Sequence, residues 1–439
     1  MAKEFIAMIE KHKPIIKDPI AAGFISEIGN RIVEQLPPQP FEFSFSIVNE
    51  DHFNAFASPG SNIFINRGLV TSLDNVNELA GILAHETGHA VCRHVSQMID
   101  KSKMVNIGTL AGMLAGVLMG ASGAGDIAQG VVISSAAAGQ STMLAFSREN
   151  ETEADQKGLV YAANASFSPW GLLTGLEKIR ANDFYGTDSI PGYLKTHPGT
   201  KERIVYIQAW IEDHYKEKDL DNGIDPFRFE MIKYRLAGIY GEKDETEQKL
   251  GHLLEKKSDN PAVHYGMALV LTRKLRFEEA LAHLNLALAM KHLDPLMLFE
   301  IGRVYYMQGE YNKALNIFKG LENIEKVKPL VCYYRGSARL ELGMMQPARE
   351  DFLKVIDDSI PFFPRAYYNM ARISGVNGEK GNSHYYLGLY YNEIHDRRNT
   401  CFHLNQSIKT LSDPQKKERA RTLLKKCGKG GSSNKRSKQ

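Results

Sequence analysis

Cysteine is scarce in this chain. Cys92, Cys332, Cys401 and Cys427 are the only four in 439 residues, too few for a disulfide framework, and they lack C-x-x-C spacing. Long apolar runs are missing too: no stretch reaches the roughly 18 to 20 residues of an ordinary membrane helix. The opening residues, M-A-K-E-F-I-A-M-I-E-K-H-K, contain no continuous apolar core and no small-residue cleavage site. That pattern is expected of a cytosolic chain, or of one written without its export signal. Nor is there an excess of one charge; a formal net charge of +3 asks for no nucleic-acid partner. What remains, 43% hydrophobic and 24% charged, describes a soluble globular protein. The length exceeds one compact core and predicts two or three domains.

Residues 79–94 read L-A-G-I-L-A-H-E-T-G-H-A-V-C-R-H, with H-E-x-x-H at His85, Glu86 and His89. Residues four apart lie one above the other on a helix, so His85 and His89 present both imidazoles to one zinc ion. Glu86 sits about 100° further round. There it can act as general base toward a water whose pKa the zinc lowers to about 7. Val76, Leu79, Ala80, Ile82, Leu83, Ala90 and Val91 make the helix a buried one. The metzincin pattern H-E-x-x-H-x-x-G-x-x-H is excluded, because Cys92 and Val95 stand where its glycine and third histidine belong. A third ligand must come from elsewhere, and a downstream glutamate on a second helix is the natural candidate.

Upstream, residues 3–36 look helical, and F-E-F-S-F-S-I-V at 41–48 alternates like a half-buried strand. N-A-F-A-S-P-G-S-N-I-F-I-N predicts two short strands around the turn Ser58-Pro59-Gly60-Ser61. Such a strand either offers a free edge to an extended peptide or belongs to an ordinary core hairpin. At 104–146 the chain is rich in Gly, Ala, Met and Ser, with Gly108, Gly112, Gly116 and Gly120 at every fourth place. This reads as a helical hairpin near the active site, a lid, in preference to a membrane contact. Next comes F-S-R-E-N-E-T-E-A-D, where Glu149, Glu151, Glu153 and Asp155 alternate. Glu151 and Asp155 are four apart and share a helix face, one to bind zinc and the other to orient a ligand histidine. The remaining carboxylates suit a solvated face.

H-E-T-G-H followed, after a glycine-rich insert, by S-R-E-N-E-T-E-A-D resembles the Ste-twenty-four-type zinc metallopeptidases, the CAAX prenyl endopeptidase-like gluzincins. The resemblance implies zinc ligands His85, His89 and Glu151, with Glu86 as general base. It gives Asp155 and Arg148 supporting places around the ligands. T-H-P-G-T-K-E-R-I at 196–204 matches the family's H-P-x-x-x-x-R pattern. By that match His197 and Arg203 lie close to the active site and stabilise the oxyanion of the transition state. In some members the histidine caps the zinc as a latch. N-A-F-A resembles the family's substrate-binding edge strand, which puts Asn54, Ala55 and Phe56 against the peptide.

From about residue 225 the pattern is helical with a 34-residue period. N-P-A-V-H-Y-G-M-A at 260, D-P-L-M-L-F-E-I-G at 294 and K-P-L-V-C-Y-Y-R-G at 328 open successive units. Small residues recur at Ala268, Gly302 and Gly336, then at Ala280, Ala314 and Ala348. These are the tight helix contacts of tetratricopeptide (TPR) repeats, whose groove takes peptides or partner proteins. The expected fold is therefore α+β and mostly helical. A metallopeptidase domain spans 1–215, including the 104–146 insert, and an all-α TPR solenoid spans 225–426. The basic tail at 427–439 is expected to be disordered.

Within the family, this pairing resembles bacterial cell-envelope members that act on misassembled outer-membrane proteins. It implies a periplasmic zinc endopeptidase with polypeptide substrates. A TPR-bound partner, such as outer-membrane assembly machinery, and peripheral membrane association go with it. The other expectation is a chaperone-like TPR scaffold whose zinc site is latched and largely inactive.

Overall fold

The computed structural model describes residue 9 and residues 14–101, 147–184, 192–198, 200–215, 221–357 and 363–428. The glycine-spaced stretch expected to form a lid lies outside the described residues, as does the tail beyond 428. The chain is α+β and mostly helical, and it divides into two compact units, Met1–Arg273 and Lys274–Gln439. Among the described residues no helix is long and apolar enough to cross a membrane.

In the first unit, α1 (Pro19–Val33) begins with Asp18, whose carboxylate accepts from the Ile20 and Ala21 amides, with proline at the first helical position. Its apolar face, Phe24, Ile25, Ile28 and Ile32, is fully buried against a three-stranded sheet. The strands β1 (Ser44–Val48), β2 (Ala55–Ala57) and β3 (Asn62–Asn66) lie in the order β1-β3-β2. β1 runs parallel to β3, and β2 pairs antiparallel with β3, Phe56 opposite Phe64. The reversal between β2 and β3 uses Gly60 at φ +88° and Ser61 at φ +62°, which is what the Pro-Gly signal is for.

After the short α2 (Arg67–Ser72), Asn75 caps α3 (Val76–Val91) by accepting from the Asn77 and Glu78 amides. The chain then continues through α4 (His94–Lys101), α5 (Arg148–Asn164), α6 (Trp170–Phe184), α7 (Gly192–Thr196) and α8 (Thr200–His214). Three further helices, α9 (Pro226–Tyr240), α10 (Lys243–Lys256) and α11 (Pro261–Arg273), complete the unit.

Helix α3 is the centre of this unit and is buried from Val76 to Ala90 except for Asn77. Its close approach to α5 depends on glycine. A Cβ on Gly158 would lie 2.9 Å from the His85 amide nitrogen, and one on Gly88 would lie 2.7 Å from the Ala154 carbonyl oxygen. Any side chain there would hold the two helices apart.

The second unit stacks antiparallel helices: α12 (Phe277–Met290), α13 (Pro295–Met307), α14 (Tyr311–Lys319), α15 (Lys328–Glu341), α16 (Met345–Asp357), α17 (Pro364–Val376), α18 (Lys380–Glu393), α19 (Arg397–Thr410) and α20 (Pro414–Gly428). Gly302 meets the ring of Phe318, and one period later Gly336 meets the ring of Phe352. The turns repeat as well, with Gly309 and Gly343 both left-handed at φ +80° and +75°. These are TPR-like helix pairs.

Candidate metal centre

His85 and His89 project from α3, Glu151 projects from the first turn of α5, and His197 follows α7. All four are completely buried. One ligand atom from each lies within 4.8 Å of every other. His85 Nε2 is 3.0 Å from His89 Nε2 and 3.3 Å from His197 Nδ1. Glu151 Oε1 is 3.3 Å from His89 Nε2 and 3.0 Å from His197 Nδ1, and Oε2 is 3.5 Å from His85 Nε2. Donors about 2.1 Å from one tetrahedral ion lie roughly 3.3 to 3.4 Å apart. Three imidazole nitrogens and a carboxylate converging at this spacing fit a metal ion in both chemistry and shape.

Behind these groups stands a set of supporting bonds. His85 Nδ1 is 2.8 Å from Asp155 Oδ1, which leaves Nε2 for a metal. Arg203, in α8, donates to both Asp155 oxygens, at 2.8 and 2.7 Å, and pairs with Glu151 Oε2 at 2.6 Å. Its guanidinium thus bridges the two carboxylates. Burial alone would raise the Glu151 carboxyl; Arg203, His197 and His89 outweigh that and hold it well below the usual carboxylate range. Burial, followed by the Arg203 charge, lowers His85 to about 3, keeping the ring neutral as a ligand must be.

Glu86 is also fully buried, with Oε1 3.5 Å from His197 Nε2. Burial pushes its carboxyl up to about 7, a value suited to exchanging protons near neutrality. His197 is fixed from two sides. Its amide donates to the Tyr193 carbonyl at 2.8 Å, and its ring stacks on the buried Tyr193 ring at 4.3 Å. The Tyr193 amide in turn donates to Phe53 O at 3.2 Å, tying the His197 loop to the segment that leads into β2.

The structure therefore brings together His85, Glu86, His89, Glu151, Asp155, His197 and Arg203. It does not bring in Arg148. Expected to support the ligands, that residue is exposed at the first position of α5, where water hydrates a guanidinium better than the core does. Asn54, Ala55 and Phe56 lie at the sheet edge, since β2 pairs with β3 alone among the described strands. All three are completely buried.

One residue that the sequence does not single out, His94, lies against the centre. His94 Nδ1 lies 3.0 Å from His89 Nδ1, and His94 Nε2 lies 3.2 Å from Glu153 Oε2. On a continuous helix His94 would point about 140° away from His89. Arg93 at φ +56° breaks the helix and turns it back. A histidine just past the end of the H-E-x-x-H helix was the available signal.

Residues 22–211 match the model of peptidase family M48. The chain is similar to the beta-barrel assembly-enhancing protease of Escherichia coli (strain K12), 25% identical over 364 residues that cover 79% of this chain and 71% of that protein. It is also similar to the mitochondrial metalloendopeptidase OMA1 of Schizosaccharomyces pombe, 28% identical over 190 residues, 43% of this chain and 53% of that protein. Among solved structures it is similar to PilW, described as a widely conserved type IV pilus biogenesis factor, at 13% identity and a TM-score of 0.36, over 46% of this chain and 92% of that one. Every residue of the buried cluster falls inside the span matched by the family model; over these residues the chain is similar to peptidase family M48, and it is a metalloprotease.

Proposed function

We propose that the chain is a zinc endopeptidase of the bacterial cell envelope, with zinc held by His85, His89 and Glu151. The observation that carries this reading is the convergence of those three donors beside a buried Glu86. Held there, zinc would supply Lewis acidity for the scissile carbonyl and lower the pKa of a water to about 7. Glu86 is the side chain placed to carry protons, positioned to accept one from an attacking water and to return one to the leaving amine. Asp155 holds the His85 ring, and Arg203 neutralises and positions the two carboxylates.

Similarity to the beta-barrel assembly-enhancing protease supports periplasmic work on misassembled outer-membrane proteins. The TPR-like helix pairs would dock the substrate or a partner protein, such as the assembly machinery. A second reading has its own observation. His197 Nδ1 lies within the donor cluster, where water or substrate would have to enter, which favours a latched state and a chaperone-like role for the second unit.

One experiment addresses both readings. Zinc content and cleavage of an unfolded outer-membrane protein are measured for wild type, Glu86→Gln and His197→Ala. Glu86→Gln is expected to retain zinc and lose about a hundred- to ten-thousandfold in cleavage rate; undiminished cleavage would sink the mechanism. A gain of activity in His197→Ala identifies the latch.

A further inference from the structure

On the far side of His89 from the donor cluster lies a second group of metal-binding side chains. Cys92, at the end of α3, His94, at the start of α4, and Glu153, on α5, each offer a ligand atom within 4.8 Å of the other two. They are a thiol, an imidazole and a carboxylate, the donor types that divalent zinc and its analogues prefer. A cation already sits against two of them. Lys157 Nζ sits 3.1 Å from Cys92 Sγ and 2.9 Å from Glu153 Oε1.

We propose that Cys92, His94 and Glu153 form a second site for a divalent transition-metal ion, which competes with Lys157 and weakens the catalytic site. Binding exchanges the thiol proton and the Lys157 ammonium for the metal. Lys157 is 37% exposed and Glu153 is 49% exposed, so the ammonium can leave into water. The carboxylate can also move in to shorten the spacing to the roughly 3.3 to 3.7 Å that a shared ion requires. His94 is only 2% exposed, and it fixes the site against the catalytic helix.

The weakening follows from a single hydrogen bond, and it rests on His89 being a ligand as proposed above; the second site itself does not. When His89 Nε2 binds zinc, its proton resides on Nδ1 and points at His94 Nδ1, 3.0 Å away. His94 accepts that proton while its own Nε2–H donates to Glu153. A metal on His94 Nε2 leaves the ring proton on Nδ1 instead. Two N–H groups then face each other at hydrogen-bond distance, so one ring must turn away. The two occupancies therefore oppose each other, and excess metal inhibits.

Cobalt(II) titration of the full chain tests this, because sulfur ligation adds a charge-transfer band in the near ultraviolet. Wild type is expected to bind a second equivalent that brings the band with it. Cys92→Ser should lose both the band and that equivalent. His85→Ala, which damages only the catalytic site, should keep the band, so failure of the catalytic reading is distinguishable from failure of this one. Excess zinc should inhibit cleavage by wild type and inhibit Cys92→Ser less. Should Cys92→Ser fold poorly by circular dichroism, Glu153→Gln at its half-exposed position serves in its place, with loss of the second equivalent expected. Wild type that binds one equivalent without the band, or a band that persists in Cys92→Ser, overturns the proposal.

Discussion

Asp155 is fully buried, faces His85 Nδ1 at 2.8 Å and receives two bonds from Arg203. A buried carboxylate so placed sets the direction of the ligand ring and balances a buried cation at once. Replacing Asp155 with Asn keeps the shape and removes the charge, which leaves Arg203 paired with Glu151 alone. Metal affinity, measured by competition with a chelator, is expected to fall about 10- to 100-fold, the usual cost of losing a group that orients a ligand histidine. Unchanged affinity would show that Asp155 has no part in positioning His85. At this scale the sequence was legible wherever geometry is local. His85 and His89 meet because they are four apart on one helix, and Glu151 and Asp155 share a face for the same reason. Spacing alone could not show which carboxylate touches which histidine, because that depends on how α5 lies across α3. Nor could it show the bond from His94 to His89, which depends on one left-handed residue, Arg93.

Helices in this chain are positioned by what their neighbours lack. Gly158 and Gly88 let α5 approach α3 until Glu151 reaches the two histidines; in the second unit Gly302 and Gly336 do the same for the rings of Phe318 and Phe352. The sequence displayed that second set plainly, because a 34-residue period repeats it. It displayed the first only as two glycines among many, since a single crossing has no period. The turns carry a further message. Gly309, Gly343 and Gly378 are left-handed at successive repeats, and the corresponding turn before α12 is made by Leu275 at φ +60°, 66% exposed. A left-handed conformation costs a side-chain-bearing residue roughly 1 to 2 kcal/mol, against a smaller entropic loss for glycine. Leu275→Gly is therefore expected to stabilise the second unit by about 0.5 to 1 kcal/mol. A denaturant midpoint that rises with unchanged slope would show it; a lower midpoint would mean that the leucine side chain contributes packing there.

For the molecule as a whole, the periodic pattern placed the start of the repeat array near residue 225, whereas the compact units divide after Arg273. Side chains in α9 explain the division. Arg235 is buried and binds Asp18 through Nε and Nη2, at 3.0 and 2.7 Å, while its Nη1 donates to the Tyr265 hydroxyl at 2.7 Å. Arg228 pairs with Glu27, Lys233 Nζ donates to the Leu73 carbonyl, and Phe229, Ile232 and Leu236 belong to the same buried core as Phe24 and Ile28. Helical period is a property of spacing, and it is blind to such partners 160 to 217 positions away. A fragment of residues 1–273 keeps all of these contacts. A fragment of residues 1–215 strips them, leaving Asp18 without its cation at about 3 to 5 kcal/mol and baring the apolar surface that three buried side chains covered, at about 1.5 to 3 kcal/mol each. Together these losses rival the whole stability of a domain. The longer fragment is expected to unfold cooperatively and to bind one zinc at the His85–His89–Glu151 site, and the shorter one to lack a cooperative transition. Equal thermal stability of the two fragments would place the functional boundary back near residue 215 and reduce α9 to a spacer.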